Sequence, residues 1–511
     1  MKKIVTAIAC TSLLGAVLYA QRPQTPQSPA DVLAASCANL TSLKLVNATV
    51  TSSEVVAAGK FKPPVGAEQS DLPSFCRVAM TIKPSADSDI KAETWLPISG
   101  WNGKFQEVGN GAWGGSIQYG ALAEGLRRGY ATASTDTGHT GGDASFALGH
   151  PEKLTDFSYR AIHETALQSK AVIAAVYRVA PRLSYFSGCS GGGRQAFSEV
   201  QRFPQDFDGV IAGAPGYDRL HQSFQLVAIA QATHKDQASF IPPEKYPAIH
   251  EAALNACDAQ DGLKDGLIGE PMRCKFDPAV LLCKGADSPS CLTAPQVQSA
   301  KAMYAGVNDP KTGELLFPGQ EPGSEMRWRG TSGSARPLGM SDDLFKYVVF
   351  GDPQWDFMTL DLNKHLDLAR KIDKGELSPA SANINPFVNR GGKLIMYHGW
   401  GDQNISPRSS TRYYDRLVTT IGKPQVDSAV RLYMVPGMGH CSGGEGPDQF
   451  DMLTALEQWR EQGKAPAEVI ASKVTAGKVA FTRPLCPYPQ VARYKGAGTT
   501  TDAASFACQM P

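Results

Sequence analysis

The stretch from Leu183 to Pro215 constrains the fold most. It opens with the β-rich run LSYFSG and passes through a cluster of small residues. It continues as GRQAFSEVQRF, a helical pattern, and ends in the apolar run DGVIAGAP at 208–215. Strand, tight turn, helix and strand in that order make a βαβ unit, and the two strands of such a unit lie parallel. The same alternation extends upstream. AETWLP (92–97), KFQEVG (104–109) and YATASTDTG (130–138) read as strands. Residues 156–179 carry helical periodicity, with Ile162, Ala166, Ile173 and Val176 facing a core. It resumes downstream with strands at KLIMYHGW (393–400) and VRLYMVPG (430–437), a helix near 407–421 and a helix at 447–460 that buries Leu453, Leu456 and Trp459. The fold class is therefore α/β with a largely parallel sheet. Residues 217–385, rich in Pro, Gly, Asp and Lys, break the alternation and read as an inserted domain between core segments 21–216 and 386–511. Residues 21–36, rich in Gln and Pro, read as a loose lead-in.

The start of the chain, MKKIVTAIACTSLLGAVLYAQ, has a basic head, a short apolar run and small residues near Ala20. It reads as a secretory signal peptide over 1–20, which directs the protein to the periplasm or the medium. The run is too short for a membrane anchor, which needs about 20 apolar residues. A lipoprotein site at Cys10 has too short an apolar lead. With 50 basic against 49 acidic residues and no basic run, nucleic acid is excluded as an expected partner. No membrane partner is expected either. Of eleven cysteines, removal of Cys10 with the leader leaves an even set in an oxidising compartment, which favours disulfides over free thiols.

The small-residue cluster holds the chemistry. Gly188-Cys189-Ser190-Gly191-Gly192 matches G-x-S-x-G, with a strand before it and a helix after it. In that setting the serine sits on a sharp turn above the sheet edge, exposed as a nucleophile, and the amide of Gly191 can face an oxyanion. A second oxyanion amide is expected in EVGNGAWGG (107–115), at Gly111 or Ala112. The serine needs a base and an orienting acid. In α/β-hydrolases the chain order is Ser, acid, His. Asp402 follows the strand at 393–400, and His440 lies in a Gly-rich loop after the strand at 430–437. His398 is a rival base within its strand run, whereas His139 and His150 precede the serine and break the order. Cys189 directly precedes Ser190, and Cys441 directly follows His440. A disulfide holds its Cα atoms about 4.4–6.8 Å apart. A bridge between these two would make nucleophile and base near neighbours.

These residues resemble the CS-D-HC signature of the tannase and feruloyl esterase family: Cys189-Ser190, Asp402 and His440-Cys441. The resemblance covers roughly residues 35–511 and implies an α/β-hydrolase fold with a lid inserted after the nucleophile strand, over 217–385. It implies a secreted serine carboxylic ester hydrolase acting on a small aromatic or phenolic ester, feruloyl esters first and galloyl esters second. Catalysis would need no cofactor. It further implies a structural Ca²⁺ in the lid, and CDAQDGLKDGLIG (257–269) supplies the oxygens: carboxylates of Asp258, Asp261 and Asp265 and carbonyls of Leu263 and Leu267. The implied bridges besides Cys189–Cys441 are Cys37–Cys76, Cys257–Cys274, Cys283–Cys291 and Cys486–Cys508. The family also includes a mono(2-hydroxyethyl) terephthalate hydrolase, in which an aromatic residue lies three positions after the acid and a lid Arg grips the substrate carboxylate. Here Ile405 stands at that position, and Arg327, Arg329 and Arg336 are the lid candidates. A non-catalytic binding module on this fold is the contrasting reading, and retention of all three triad residues argues against it.

Overall fold

The computed structural model describes Met1 and residues 29–511, apart from 65, 67, 332, 333, 335 and 336. The signal peptide, Cys10 and Arg336 lie outside the described residues. Among the described residues nine strands form the central sheet: β1 (Ala48–Val56), β2 (Phe75–Ile82), β3 (Ile90–Pro97), β4 (Lys104–Val108), β5 (Ala131–Thr135), β6 (Leu183–Cys189), β7 (Gly209–Gly213), β8 (Lys393–Gly399) and β9 (Val430–Val435). Their spatial order is β1-β2-β3-β5-β4-β6-β7-β8-β9. Pairing is antiparallel from β1 to β5 and parallel from β5 to β9.

The central parallel strands are apolar on both faces, as strands covered on both sides must be. Phe186, Val210, Met396 and Leu432 face one layer, which includes Ile162, Ala166, Ile173 and Val176 from α3 (Ala161–Tyr177) and Phe197 and Val200 from α4 (Gly191–Arg202). Tyr185, Ile211, Ile395 and Tyr433 face the other, where α7 (Met452–Gln462) buries Leu453, Leu456 and Trp459. That last helix starts later than the pattern at 447–460 predicts. The amides of Asp448 and Gln449 donate to the Ser472 carbonyl, which holds this segment extended, and Asp451 then caps the helix by accepting from the Thr454 amide. The lead-in also differs from expectation. Residues Pro29–Ala38 form α1, and Cys37, fully buried, ties it to Cys76 on β2.

Between β7 and β8 the chain leaves the sheet and builds a mainly helical insertion with its own core, which includes Leu226, Ile229, Tyr246, Ile249, Val297, Met303 and Trp328. The helix α5 (Arg219–Thr233) joins this insertion to the sheet domain. Its Leu220, Phe224 and Val227 pack in one cluster with Trp113 and Phe157. α2 (Tyr119–Arg127) follows β4, and α6 (Arg408–Ile421) follows β8. Among the described residues no helix is long and apolar enough to cross a membrane.

Candidate active site

The sheet brings the ends of β4, β6, β8 and β9 together at one edge, where open α/β sheets place their ligands. Ser190 occupies the turn between β6 and α4 with φ +63° and ψ −117°. Such a conformation costs a non-glycine residue about 1–3 kcal/mol and persists only where its surroundings enforce it. Here they do. The Ser190 amide donates to the Gly213 carbonyl at 2.9 Å, and its carbonyl accepts from Arg194 and Gly216 at 3.0 and 3.2 Å. A Cβ on Gly188 would lie 2.6 Å from the Gly192 backbone, so the turn closes only with glycine there.

Asp402 lies in the turn after β8, fully buried. Its Oδ1 accepts the amides of Asn404 and Ile405 at 2.8 and 3.0 Å. Its Oδ2 accepts from His440 Nδ1 at 2.7 Å and from His398 Nε2 at 3.0 Å. Burial pushes this carboxyl up, but the His440 charge and the two histidine donors outweigh it and hold the group well below its ordinary value. Burial likewise disfavours the His440 imidazolium, and the adjacent Asp402 charge overrides it, so this ring titrates above its ordinary value. Cys441 adopts φ +64° and bridges to Cys189 with Cα atoms 6.0 Å apart. Ser190 and His440 are thus joined covalently through their chain neighbours. The remaining disulfides are Cys37–Cys76, Cys257–Cys274, Cys283–Cys291 and Cys486–Cys508.

The loop after β4 lies directly over the start of α4. A Cβ on Gly191 would come within 3.1 Å of the Asn110 carbonyl and 3.2 Å of the Ala112 amide nitrogen. Gly191, Gly111 and Ala112 are therefore together, with Ala112 at φ +47°. A reciprocal amide pair fixes the approach. The Asn110 amide donates to Gln195 Oε1 at 2.9 Å, and Gln195 Nε2 donates to Asn110 Oδ1 at 3.1 Å. Asn110 Nδ2 then reaches the carbonyls of Thr135 and Ser116. Both side chains are buried. Sequence reasoning missed this pair, although Gln195 lies one helical turn beyond Gly191 and therefore near the same loop.

Three further residues singled out in the sequence take defined places. His398 is not placed as a rival base, because its ring is buried against Asp402 and Ser410. Arg327 does not stand free to grip a substrate. It pairs with Glu445 at 2.7 Å and wedges against the loops of the acid and the base, so that a Cβ on Gly439 would lie 2.8 Å from its Nε. Ile405 is buried in an anchoring cluster with Val307 and Phe317. Arg329 is exposed.

The acidic loop of the insertion gathers Asp258, Asp261 and Asp265. Asp258 accepts the amides of Asp265 and Gly266, at 3.2 and 2.9 Å, and folds the loop on itself. Gly262 and Gly266 make the turns with φ +93° and +83°. Burial, reinforced by the charges of Asp265 and Asp258, pushes the Asp261 carboxyl up to about 6. Arg483 meets one Asp265 oxygen at 2.6 Å, and Arg493 donates to the Asp261 carbonyl. Asp258, Asp261 and Asp265 offer the hard oxygens that a divalent cation such as Ca²⁺ takes, but their carboxylates do not converge within 4.8 Å of one another as one group: Asp258 is turned to the Asp265 and Gly266 amides and Asp265 to Arg483.

A serine on a strained elbow, with a buried Asp–His pair beyond it in chain order, defines the serine-hydrolase class of the α/β-hydrolase fold. The comparisons narrow this. The family model described as tannase and feruloyl esterase matches residues 76–509. An uncharacterized esterase of Xanthomonas campestris pv. campestris is 40% identical over 525 residues, covering 93% of this chain and 91% of the relative. A probable feruloyl esterase B-1 of Aspergillus oryzae is 33% identical over 503 residues, covering 91% of each. The crystal structure of feruloyl esterase B from Aspergillus oryzae superposes with a TM-score of 0.88 at 32% identity, covering 93% of this chain and 100% of that one. The chain belongs to the tannase and feruloyl esterase family and is a carboxylic ester hydrolase.

Proposed function

We propose that the protein is a secreted esterase that cleaves feruloyl and related hydroxycinnamoyl esters through Ser190, His440 and Asp402. The observation that carries the mechanism is the pairing of Asp402 with His440 at 2.7 Å beside a bridge that ties His440 to Ser190 through adjacent cysteines. His440 Nε2 takes the Ser190 hydroxyl proton as Oγ attacks the ester carbonyl. The amides of Gly191 and of Gly111 or Ala112 receive the oxyanion. His440 then gives its proton to the leaving alcohol, and water releases the acid from the acyl-enzyme by the same route. Asp402 orients His440 and stabilises its charged form.

The relatives named feruloyl esterase B support the feruloyl preference. A galloyl ester is the runner-up within the same chemistry. The burial of Ile405 in the insertion's anchor and the pairing of Arg327 with Glu445 weigh against terephthalate monoesters. The insertion over 217–385 acts as the lid, and Ca²⁺ held by Asp258, Asp261, Asp265, Leu263 and Leu267 stiffens it. The disulfides and the leader favour an extracellular or periplasmic site of action. The test is hydrolysis of methyl ferulate, methyl gallate and mono(2-hydroxyethyl) terephthalate by the protein and its Ser190→Ala variant. Methyl ferulate should be cleaved fastest and the variant should cleave none; activity retained by the variant would remove Ser190 from the mechanism. Chelation with EGTA should lower the melting temperature, with restoration by Ca²⁺; an unmoved transition would remove the metal.

A further inference from the structure

His398 closes the buried side of the Asp402 carboxylate, and the mechanism so far gives it no task. Its Nε2 faces only acceptors, Asp402 Oδ2 at 3.0 Å and the Ile405 carbonyl at 3.1 Å. A ring nitrogen in that position carries the proton. Its Nδ1 lies 2.8 Å from the hydroxyl of Ser410, in the first turn of α6. Ser410, His398 and Asp402 are all fully buried. A rotatable hydroxyl that donates to Nδ1 selects the Nε2–H tautomer of the neutral ring.

We propose that His398 is a positioning residue for the acid–base pair: locked as the Nε2–H tautomer by Ser410, it shares Asp402 Oδ2 with His440 and sets how strongly Asp402 holds a proton on His440. Ser410, His398, Asp402 and His440 form one continuous hydrogen-bonded chain. Packing alone does not account for it. The Asn404 and Ile405 amides already fix Asp402 Oδ1, so the carboxylate keeps its orientation without His398. What His398 changes is the charge left on Oδ2. A second donor there draws charge away from the His440 bond and weakens the pull on the His440 proton. That lowers the proton affinity of the base and favours delivery of the proton to the leaving alcohol. Two cations near these elements have carboxylate partners of their own. Arg327, beside Gly401 and Gly439, is paired with Glu445, and Arg408, at the start of α6, is paired with Glu321.

The inference rests on the triad reading above, and the experiment separates the two. The pH profile of kcat/KM on methyl ferulate is measured for the full protein and for His398→Ala, His398→Gln and Ser410→Ala. In His398→Ala the acid limb should move up by about half to one pH unit, the worth of one hydrogen bond expressed as a pKa shift. KM should change little. His398→Gln keeps an N–H toward Asp402 and should hold the limb near the wild-type position. Ser410→Ala leaves the Nε2–H tautomer in place but removes the donor that polarises the ring through Nδ1, which weakens the Nε2–H bond to Asp402 and should move the limb upward by less. The low-field proton resonance of His440 Nδ1–H should shift in His398→Ala. A limb that stays in place in both alanine variants, or moves down, overturns the proposal even if the melting temperature falls. If His398→Ala does not fold, Ser410→Ala decides by the same limb. Failure of a fluorophosphonate to label Ser190 would instead sink the triad reading, and this proposal with it.

Discussion

Replacing Cys189 and Cys441 together by serine probes how the site is held. The bridge closes a loop of 252 residues. Chain-entropy reasoning puts its effect on the unfolded state at about 5.5 kcal/mol, a large share of the 5–15 kcal/mol typical of folded domains. The native site adds a local effect of a different kind. Ser190 at φ +63° and Cys441 at φ +64° both sit in left-handed backbone, each at a cost of about 1–3 kcal/mol. The bridge joins the residue before one strained position to the other strained position itself. Cutting it lets each turn relax independently. The Gly213, Arg194 and Gly216 hydrogen bonds still restrain Ser190, and Asp402 still restrains His440. The expected drift between nucleophile and base is therefore small, on the order of 1 Å, which lowers kcat roughly 100-fold. KM should change little. The assay is steady-state hydrolysis of methyl ferulate beside urea unfolding. The control is Cys283→Ser with Cys291→Ser, whose loop spans only 8 residues of the insertion. It should lose about 2.5 kcal/mol and leave kcat unchanged. A folded Cys189→Ser/Cys441→Ser protein with kcat within threefold of wild type would refute the reasoning, because the geometry would then stand without the bridge.

The acid limb of kcat/KM should have its midpoint above 6.5, since His440 must be neutral to accept the serine proton and Asp402 raises its pKa; a midpoint below 6.5 in a pH-rate profile would contradict this. In stability, the His440–Asp402 pair acts in two directions. The raised His440 contribution is complete below pH 6.5 and is lost as pH rises through its folded value, whereas the depressed Asp402 contribution is present above pH 3.8 and is lost as pH falls toward its folded value. Glu199 on α4 is buried, and burial, with the charges of Asp206 and Glu107, pushes its carboxyl well above the ordinary value. Its contribution is complete below pH 4.5 and is lost as pH rises, so Glu199→Gln should raise the melting temperature more at pH 9 than at pH 5 by calorimetry; an equal change at both would count against it. Gln195→Met removes the lock on Asn110 and should lower kcat by about 10- to 100-fold at nearly constant KM, a partial loss of oxyanion stabilisation; a change confined to KM would show that the loop contacts substrate instead.

The chemistry that could be read in the sequence was the part written in consecutive residues. Cys189-Ser190 and His440-Cys441 are dipeptides, and the strand, turn and helix around Ser190 are local, so adjacency along the chain carried the geometry. The parallel strands were legible because burial on both faces makes them continuous apolar runs. β1 was not, because it is an edge strand with only Val50 buried and its sequence ATVTSSEVV shows no apolar alternation. The residues that refine the site escaped for a related reason. Gln195 meets Asn110 across 85 positions, and Arg327 meets Glu445 across 118. Neither pair has a spacing rule, since their contact depends on how the insertion and the β4 loop fold back over the sheet edge. His398 shows the limit most clearly. Its alternation in KLIMYHG places it on the face of Leu394 and Met396, inside the core. A buried histidine is tolerable there only because three acceptor or donor groups meet its two nitrogens, and one of those groups is Asp402, the proposed acid. The sequence signal that it was no ordinary core residue was its polarity at an apolar position, four residues before an Asp.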